Sequence, residues 1–358
     1  MDRLKKLRDA GQSIWLDTIT RELVTSGKLV RYIEEFSVTG LTSNPTIFEK
    51  AISSSSDYDA SIKSLLGRDL SIEQLFFALA IEDLTIAADH FRPVYEASGR
   101  RDGFVSLEVS PTLANDVEAT IDEALCLFAQ AGRENLLIKV PGTPEGVLAI
   151  EELIFAGIPV NVTLLFSTEH YVAAAEAYVR GLERRRDAGG RVDVPSVASL
   201  FVSRWDRALE SRVPANLRDR CGIAIAHRTY RAYRELLASD RWQRLAERGA
   251  RPQRLLWAST GTKNPERIDT YYITALVADA TVNTMPEATL RAFDEHGEVG
   301  DLLGADASGA ERTIEAVEAA GVDLRELAAR LQSEGRDAFV ADFDKLLRGL
   351  ESKAAALE

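Results

Sequence analysis

Short apolar runs of four to seven residues alternate along this chain with longer stretches whose apolar positions recur every three or four residues. The first pattern belongs to buried strands and the second to amphipathic helices. Eight runs read as strands: Ser13–Leu16, Val38–Thr42, Phe104–Val109, Leu136–Val140, Pro159–Leu165, Val197–Phe201, Leu255–Ser259 and Thr281–Met285. Strands separated by helices predict βα units around a parallel sheet, and eight of them predict an α/β fold of the (β/α)8 TIM barrel type with additional helices. The rival is an open doubly wound sheet, but its Gly-x-Gly-x-x-Gly turn is missing after the first run, where Asp17-Thr18-Ile19-Thr20 stands.

Helix signals fill the intervals. Ser71 and Gln74 have capping-box spacing ahead of Leu75-Phe76-Phe77, and Thr143 caps a helix with Pro144 at its first position. The stretch from Trp205 to Arg254 is helical and charge-rich, with breaks near Pro214 and Gly249, and Ser53-Ser54-Ser55-Ser56 reads as a loop. Beyond the eighth run Asp323 and Glu326 form a cap pair, and Phe339, Phe343, Leu346 and Leu350 form one apolar face. No linker divides the chain. Residues 1–358 therefore read as one barrel domain, with residues from about 290 to 358 as a packed helical extension.

A barrel of this kind carries its chemistry at the carboxyl ends of its strands. Polar residues stand there repeatedly: Asp17 closes the first run, Asn44 follows the second, and Glu108 and Lys139 lie late in the third and fourth. Asn161 and Thr163 sit in the fifth run, Ser199 in the sixth and Ser259 in the seventh. Lys139 is the most informative, because it interrupts the apolar run Leu-Leu-Ile-Lys-Val-Pro. A buried ammonium must be paired or lose its proton, and a neutral lysine amine is a nucleophile suited to Schiff-base chemistry. Each residue also has a plainer reading. Lys139 could face outward with its stem along the surface, Asp17 could cap the next helix, and Glu108 could be a solvated edge carboxylate. Asn44 before Pro45 suits a turn. Asn161 and Thr163, two apart on one strand, share either the barrel interior or its exterior.

Composition narrows the function classes. Hydrophobic residues make up 46% of 358 and charged residues 28%, as in a folded globular protein with a sizeable core. A formal charge of −13 argues against nucleic-acid or anionic-membrane partners, so an anionic metabolite would have to meet local basic residues. The amino terminus lacks a signal-peptide core, no stretch is long enough to span a bilayer, and Cys126 and Cys221 stand alone; a cytoplasmic protein is expected. His90, His170, His227 and His296 fall in helical stretches, which leaves a zinc site without ligands, and no metal is expected. Monomer and homodimer are both open.

The segments resemble the transaldolase family from about Ser13 to His296. The matching stretches are Trp15-Leu16-Asp17-Thr18, Gly40-Leu41-Thr42-Ser43-Asn44-Pro45-Thr46, Val105-Ser106-Leu107-Glu108-Val109, Leu137-Ile138-Lys139-Val140-Pro141, Asn161-Val162-Thr163-Leu164-Leu165-Phe166-Ser167 and Ala198-Ser199-Leu200-Phe201-Val202-Ser203-Arg204. The resemblance implies a class I aldolase barrel that moves a dihydroxyacetone unit between sugar phosphates in the non-oxidative pentose phosphate pathway, without a cofactor. It implies Lys139 as the Schiff-base residue, Asp17 as acid/base, and Glu108 with Thr163 as the water-linked proton shuttle. Asn44, Asn161, Ser199 and Phe201 are implied around the sugar, and Arg204, Ser259 and Lys263 around the phosphate. Two departures mark a divergent branch. Lys263-Asn264 stands where the family has Arg-Asn, and Leu200 and Ser203 replace the Pro and Gly that flank the phenylalanine at Phe201. The neighbouring group of fructose 6-phosphate aldolases carries tyrosine at the position of Phe201 and glutamine at that of Glu108. A catalytically silent sugar-phosphate-binding barrel is the remaining rival, and it would be expected to have lost Lys139, Asp17 or Glu108.

Overall fold

The structure, a computed structural model, describes residues 3–304 and 306–358. Its eight strands are β1 (Gln12–Asp17), β2 (Val38–Thr42), β3 (Phe104–Glu108), β4 (Leu136–Pro141), β5 (Val160–Leu165), β6 (Ser196–Phe201), β7 (Arg254–Ala258) and β8 (Thr281–Met285). Every neighbour pair is parallel and β8 returns to β1, so the sheet closes into the expected barrel. The alternation of side chains along a strand assigns two buried faces. In β4 Leu136, Ile138 and Val140 belong to the core shared with the surrounding helices, whereas Leu137 belongs to a second cluster with Trp15, Phe104, Val197, Leu256 and Val282. These six side chains fill the barrel interior, and the same cluster runs on to helices outside it. Lys139 shares the parity of Leu137, so it points along the axis and not out to solvent. Gly40 makes room for the interior: a Cβ there would come within 2.6 Å of the Trp15 indole.

Helices occupy the intervals. Ser71 and Gln74 form the capping box of the helix Ile72–Ala97, and Thr143 caps Pro144–Ala156. One expectation is corrected. The serine run is not a loop throughout, because the helix Pro45–Ser54 continues into it, with the Ser53 and Ser54 hydroxyls donating to the carbonyls of Glu49 and Lys50 one turn back.

The last helix, Leu324–Leu357, begins at the Asp323 cap and packs against the helix Pro45–Ser54 that follows β2. Lys345 pairs with Glu49 at 3.0 Å, Thr46 bonds Asp342, and Lys353 donates to the Ile52 carbonyl at 3.0 Å. Its apolar face is divided. Phe343, Leu346 and Leu350 join the outer core, with Phe343 edge-on to Phe76 at 5.5 Å, while Phe339 joins the cluster containing Phe166 and Phe201. Gln332, earlier in the same helix, donates to the carbonyls of Gly142 (2.9 Å) and Leu164 (3.0 Å). The helix thus fastens the ends of β4 and β5 at the face where barrel chemistry is expected. No helix among the described residues is long and apolar enough to cross a membrane.

Candidate active site

At the carboxyl end of the barrel lies a cavity of about 340 Å³ that Asp17, Asn44, Lys139, Thr163, Ser199, Phe201, Arg204, Ser259 and Lys263 all border. Nine of the eleven residues singled out in the sequence therefore meet around one space. The other two, Glu108 and Asn161, stand directly behind its wall, as the register shows: Glu108 pairs with Lys139, and Lys139 pairs with Asn161 across adjacent strands.

Lys139 is 6% exposed, and its Nζ donates to Glu108 Oε2 and to the Ser43 carbonyl, each at 2.8 Å. The plain reading of Glu108 as a solvated edge carboxylate is excluded by its own burial and by this ion pair. Burial raises the Glu108 pKa above its ordinary value and the Asp17 charge raises it further, while Lys139 draws it back.

Asp17 is not a helix cap; the Leu23 amide bonds the Thr20 hydroxyl instead, at 3.0 Å. Its Oδ1 accepts from Thr42 Oγ1 at 2.7 Å, and Thr42 in turn lies 2.7 Å from the Thr284 hydroxyl. Burial raises its pKa, opposed by the Thr42 hydrogen bond and the Lys139 charge. Two carboxyl groups with raised pKa values and one lysine thus share a desolvated corner, an arrangement suited to proton transfer.

The rest of the wall is built from side chains with defined partners. Asn161 donates to Ser106 Oγ at 3.1 Å and accepts from Ser199 Oγ at 2.7 Å, so it orients Ser199 from beneath. The Thr163 hydroxyl is buried without a hydrogen-bond partner among the described residues. It sits where β5 departs from regular pairing and Leu164 adopts a left-handed conformation (φ 58°). Asn44 does cap the next helix, its Oδ1 accepting from the Ile47 amide at 3.0 Å, yet it also borders the cavity. Ser259 has a left-handed backbone (φ 56°), and its hydroxyl lies 2.9 Å from that of Ser203.

Besides Lys139, three basic side chains of the described residues border the cavity: Lys50, Arg204 and Lys263. The neighbours that could pair with Arg204 do not; Asp206 turns away to accept from Tyr272 Oη at 2.9 Å and the Gly222 amide at 3.2 Å. Burial and the nearby Arg207 lower the Arg204 pKa from its ordinary value, partly offset by Asp342 and Glu334. The guanidinium stays charged. Sequence reasoning missed four participants. Thr42 and Thr284 carry the strand-end signal that identified the others, whereas Lys50 on a helix reads as a solvated charge and Phe339 as ordinary helix packing.

The profile of a family described as Transaldolase/Fructose-6-phosphate aldolase matches residues 14–350. Transaldolase 2 of Nostoc punctiforme is 43% identical, with 99% of this chain and 98% of the relative covered. Transaldolase of Thermobifida fusca is 44% identical over 99% of this chain and 98% of its own length. Transaldolase of Saccharopolyspora erythraea is 45% identical over 96% of each.

Proposed function

The chain belongs to the transaldolase/fructose-6-phosphate aldolase family and is a transaldolase, a transferase enzyme, and from that premise we propose that Lys139 carries the reaction as a Schiff base. The observation that supports this reading is the buried pair of Lys139 Nζ and Glu108 Oε2 at 2.8 Å, opening on a cavity that Asp17 also borders. Glu108 accepts a proton from Lys139, leaving the amine free to attack the C2 carbonyl of a ketose phosphate. The carbinolamine then loses its C2 hydroxyl as water, with Glu108 supplying the proton through a water held by Thr163. The iminium is the electron sink that other enzymes obtain from a cofactor.

Asp17 then takes the proton of the C4 hydroxyl, the C3–C4 bond breaks, and its electron pair passes into the iminium to leave an enamine on Lys139. Glyceraldehyde 3-phosphate departs when the donor is fructose 6-phosphate, and erythrose 4-phosphate when it is sedoheptulose 7-phosphate. The enamine attacks an incoming aldose phosphate, Asp17 returns the proton to the new alkoxide, and water releases the product ketose. Asn44 and Ser199, with Asn161 behind, hold the dihydroxyacetone hydroxyls, and Phe201 walls the site. Arg204, Ser259 and Lys263 receive the phosphate, with Lys50 adding charge at the rim. The enzyme works in the cytoplasm on free sugar phosphates.

The test is a transfer assay that follows three-carbon exchange and free dihydroxyacetone together. Wild-type enzyme is expected to exchange the unit with little free dihydroxyacetone, and Lys139→Ala to lose about 10³-fold or more in kcat. Free dihydroxyacetone formed as fast as ketose is consumed would instead mark an aldolase. Exchange by Lys139→Ala within tenfold of wild type would overturn the Schiff-base assignment.

A further inference from the structure

Arg204, taken above as a phosphate-binding group, lacks the usual means of holding an arginine still. Among the described residues no carboxylate comes within the 4.0 Å of an ion pair with its guanidinium. Its Cζ lies over two aromatic rings, 5.2 Å from the centroid of Phe201 and 5.9 Å from that of Phe339. These rings come from different parts of the chain, Phe201 from the end of β6 and Phe339 from the helix Leu324–Leu357. Phe339 is 6% exposed and borders the active-site cavity. One turn earlier on the same helix is Gly335, and a Cβ there would come within 3.0 Å of Arg204 Nη1 and of Leu164 Cδ2. Residues four apart share a helix face, so this face combines a missing side chain where the guanidinium lies with a ring where it stacks.

We propose that Gly335 and Phe339 form a seat for Arg204, making the C-terminal helix a positioning element that sets the preference for phosphorylated over unphosphorylated sugars. The inference rests on Arg204 meeting the substrate phosphate. A guanidinium held against two rings keeps N–H donors free for a phosphate, and the contacts that hold it are in place before substrate arrives. A carboxylate partner would also hold it, but would compete with the phosphate. An aromatic seat does not.

The readout is the ratio of kcat/KM for erythrose 4-phosphate to that for erythrose as acceptor, with fructose 6-phosphate saturating. Phe339→Ala is expected to lower this ratio about tenfold. Phe339→Leu, which keeps the apolar volume without a π face, is expected to lower it similarly, and Phe339→Trp to restore it to within about threefold of wild type. On an Arg204→Ala background, Phe339→Leu should change the ratio no further. Equal losses for both aldehydes, an unchanged ratio, or losses that multiply in the double variant would overturn the seat. Borohydride trapping on Lys139 separates the two levels: an adduct with an unchanged ratio overturns the seat alone, whereas no adduct in wild type overturns the Schiff-base reading beneath it.

Discussion

At the scale of single residues, the chemistry depends on how burial is countered. In the proposed reaction Asp17 must be ionised to take a proton from the sugar, yet burial favours its neutral form, and the Thr42 hydroxyl at 2.7 Å with the Lys139 charge acts in the opposite direction. Activity that depends on the carboxylate is therefore lost as pH falls through a pKa above the ordinary value of 3.8. Thr42→Val removes a hydrogen bond that stabilises the charged form, so the acid limb of the kcat/KM profile is expected to move to higher pH by roughly 0.5–1. A limb that stays in place would show that Thr42 does not support Asp17. The same logic bears on stability. Asp17 binds its proton more tightly folded than unfolded, so its ionisation costs stability; the cost begins above the ordinary carboxylate range and is complete once pH has passed the raised folded value.

At the scale of elements, the barrel strands place the site and the last helix secures it. Gln332 is the clearest fastening, because one side-chain amide satisfies the carbonyls of Gly142 and Leu164 at the ends of β4 and β5. Leu164 is the residue with positive φ beside Thr163, so Gln332 also holds the irregularity that aims the Thr163 hydroxyl. Gln332→Ala leaves both carbonyls without this donor. It is expected to lower Tm by about 2–5 °C, as calorimetry would read it. No change in Tm would mean that the carbonyls find other partners at no cost. The strand-end residues were legible in the sequence because a parallel barrel puts its polar exceptions on one rim, and each of them interrupts an apolar run or stands at its end, whereas Arg204 and Lys263 came from the family resemblance. The helix residues were not. Phe339 has the same spacing as Phe343, Leu346 and Leu350, and only the path of the helix over the barrel mouth separates a core ring from a cavity wall. Lys50 is hidden for the same reason, since its charge looks like any solvated helix charge until the cavity is closed around it.

At the scale of the whole molecule, a chain of formal charge −13 gathers Lys50, Arg204 and Lys263 around one opening, so an anionic substrate would meet positive charge at the proposed site. In the proposed phosphate site Lys263, in place of the family's arginine, offers a point charge and not a fork, which shifts the demand for directional contact onto Arg204. Each of these features serves the claim that Lys139 becomes covalently attached to substrate. The direct measurement is borohydride reduction in the presence of fructose 6-phosphate, followed by peptide mapping by mass spectrometry. A reduced three-carbon adduct on the peptide containing Lys139, absent without substrate and absent in Lys139→Ala, is the predicted result. An adduct on another lysine, or none under conditions where three-carbon transfer proceeds, would contradict it.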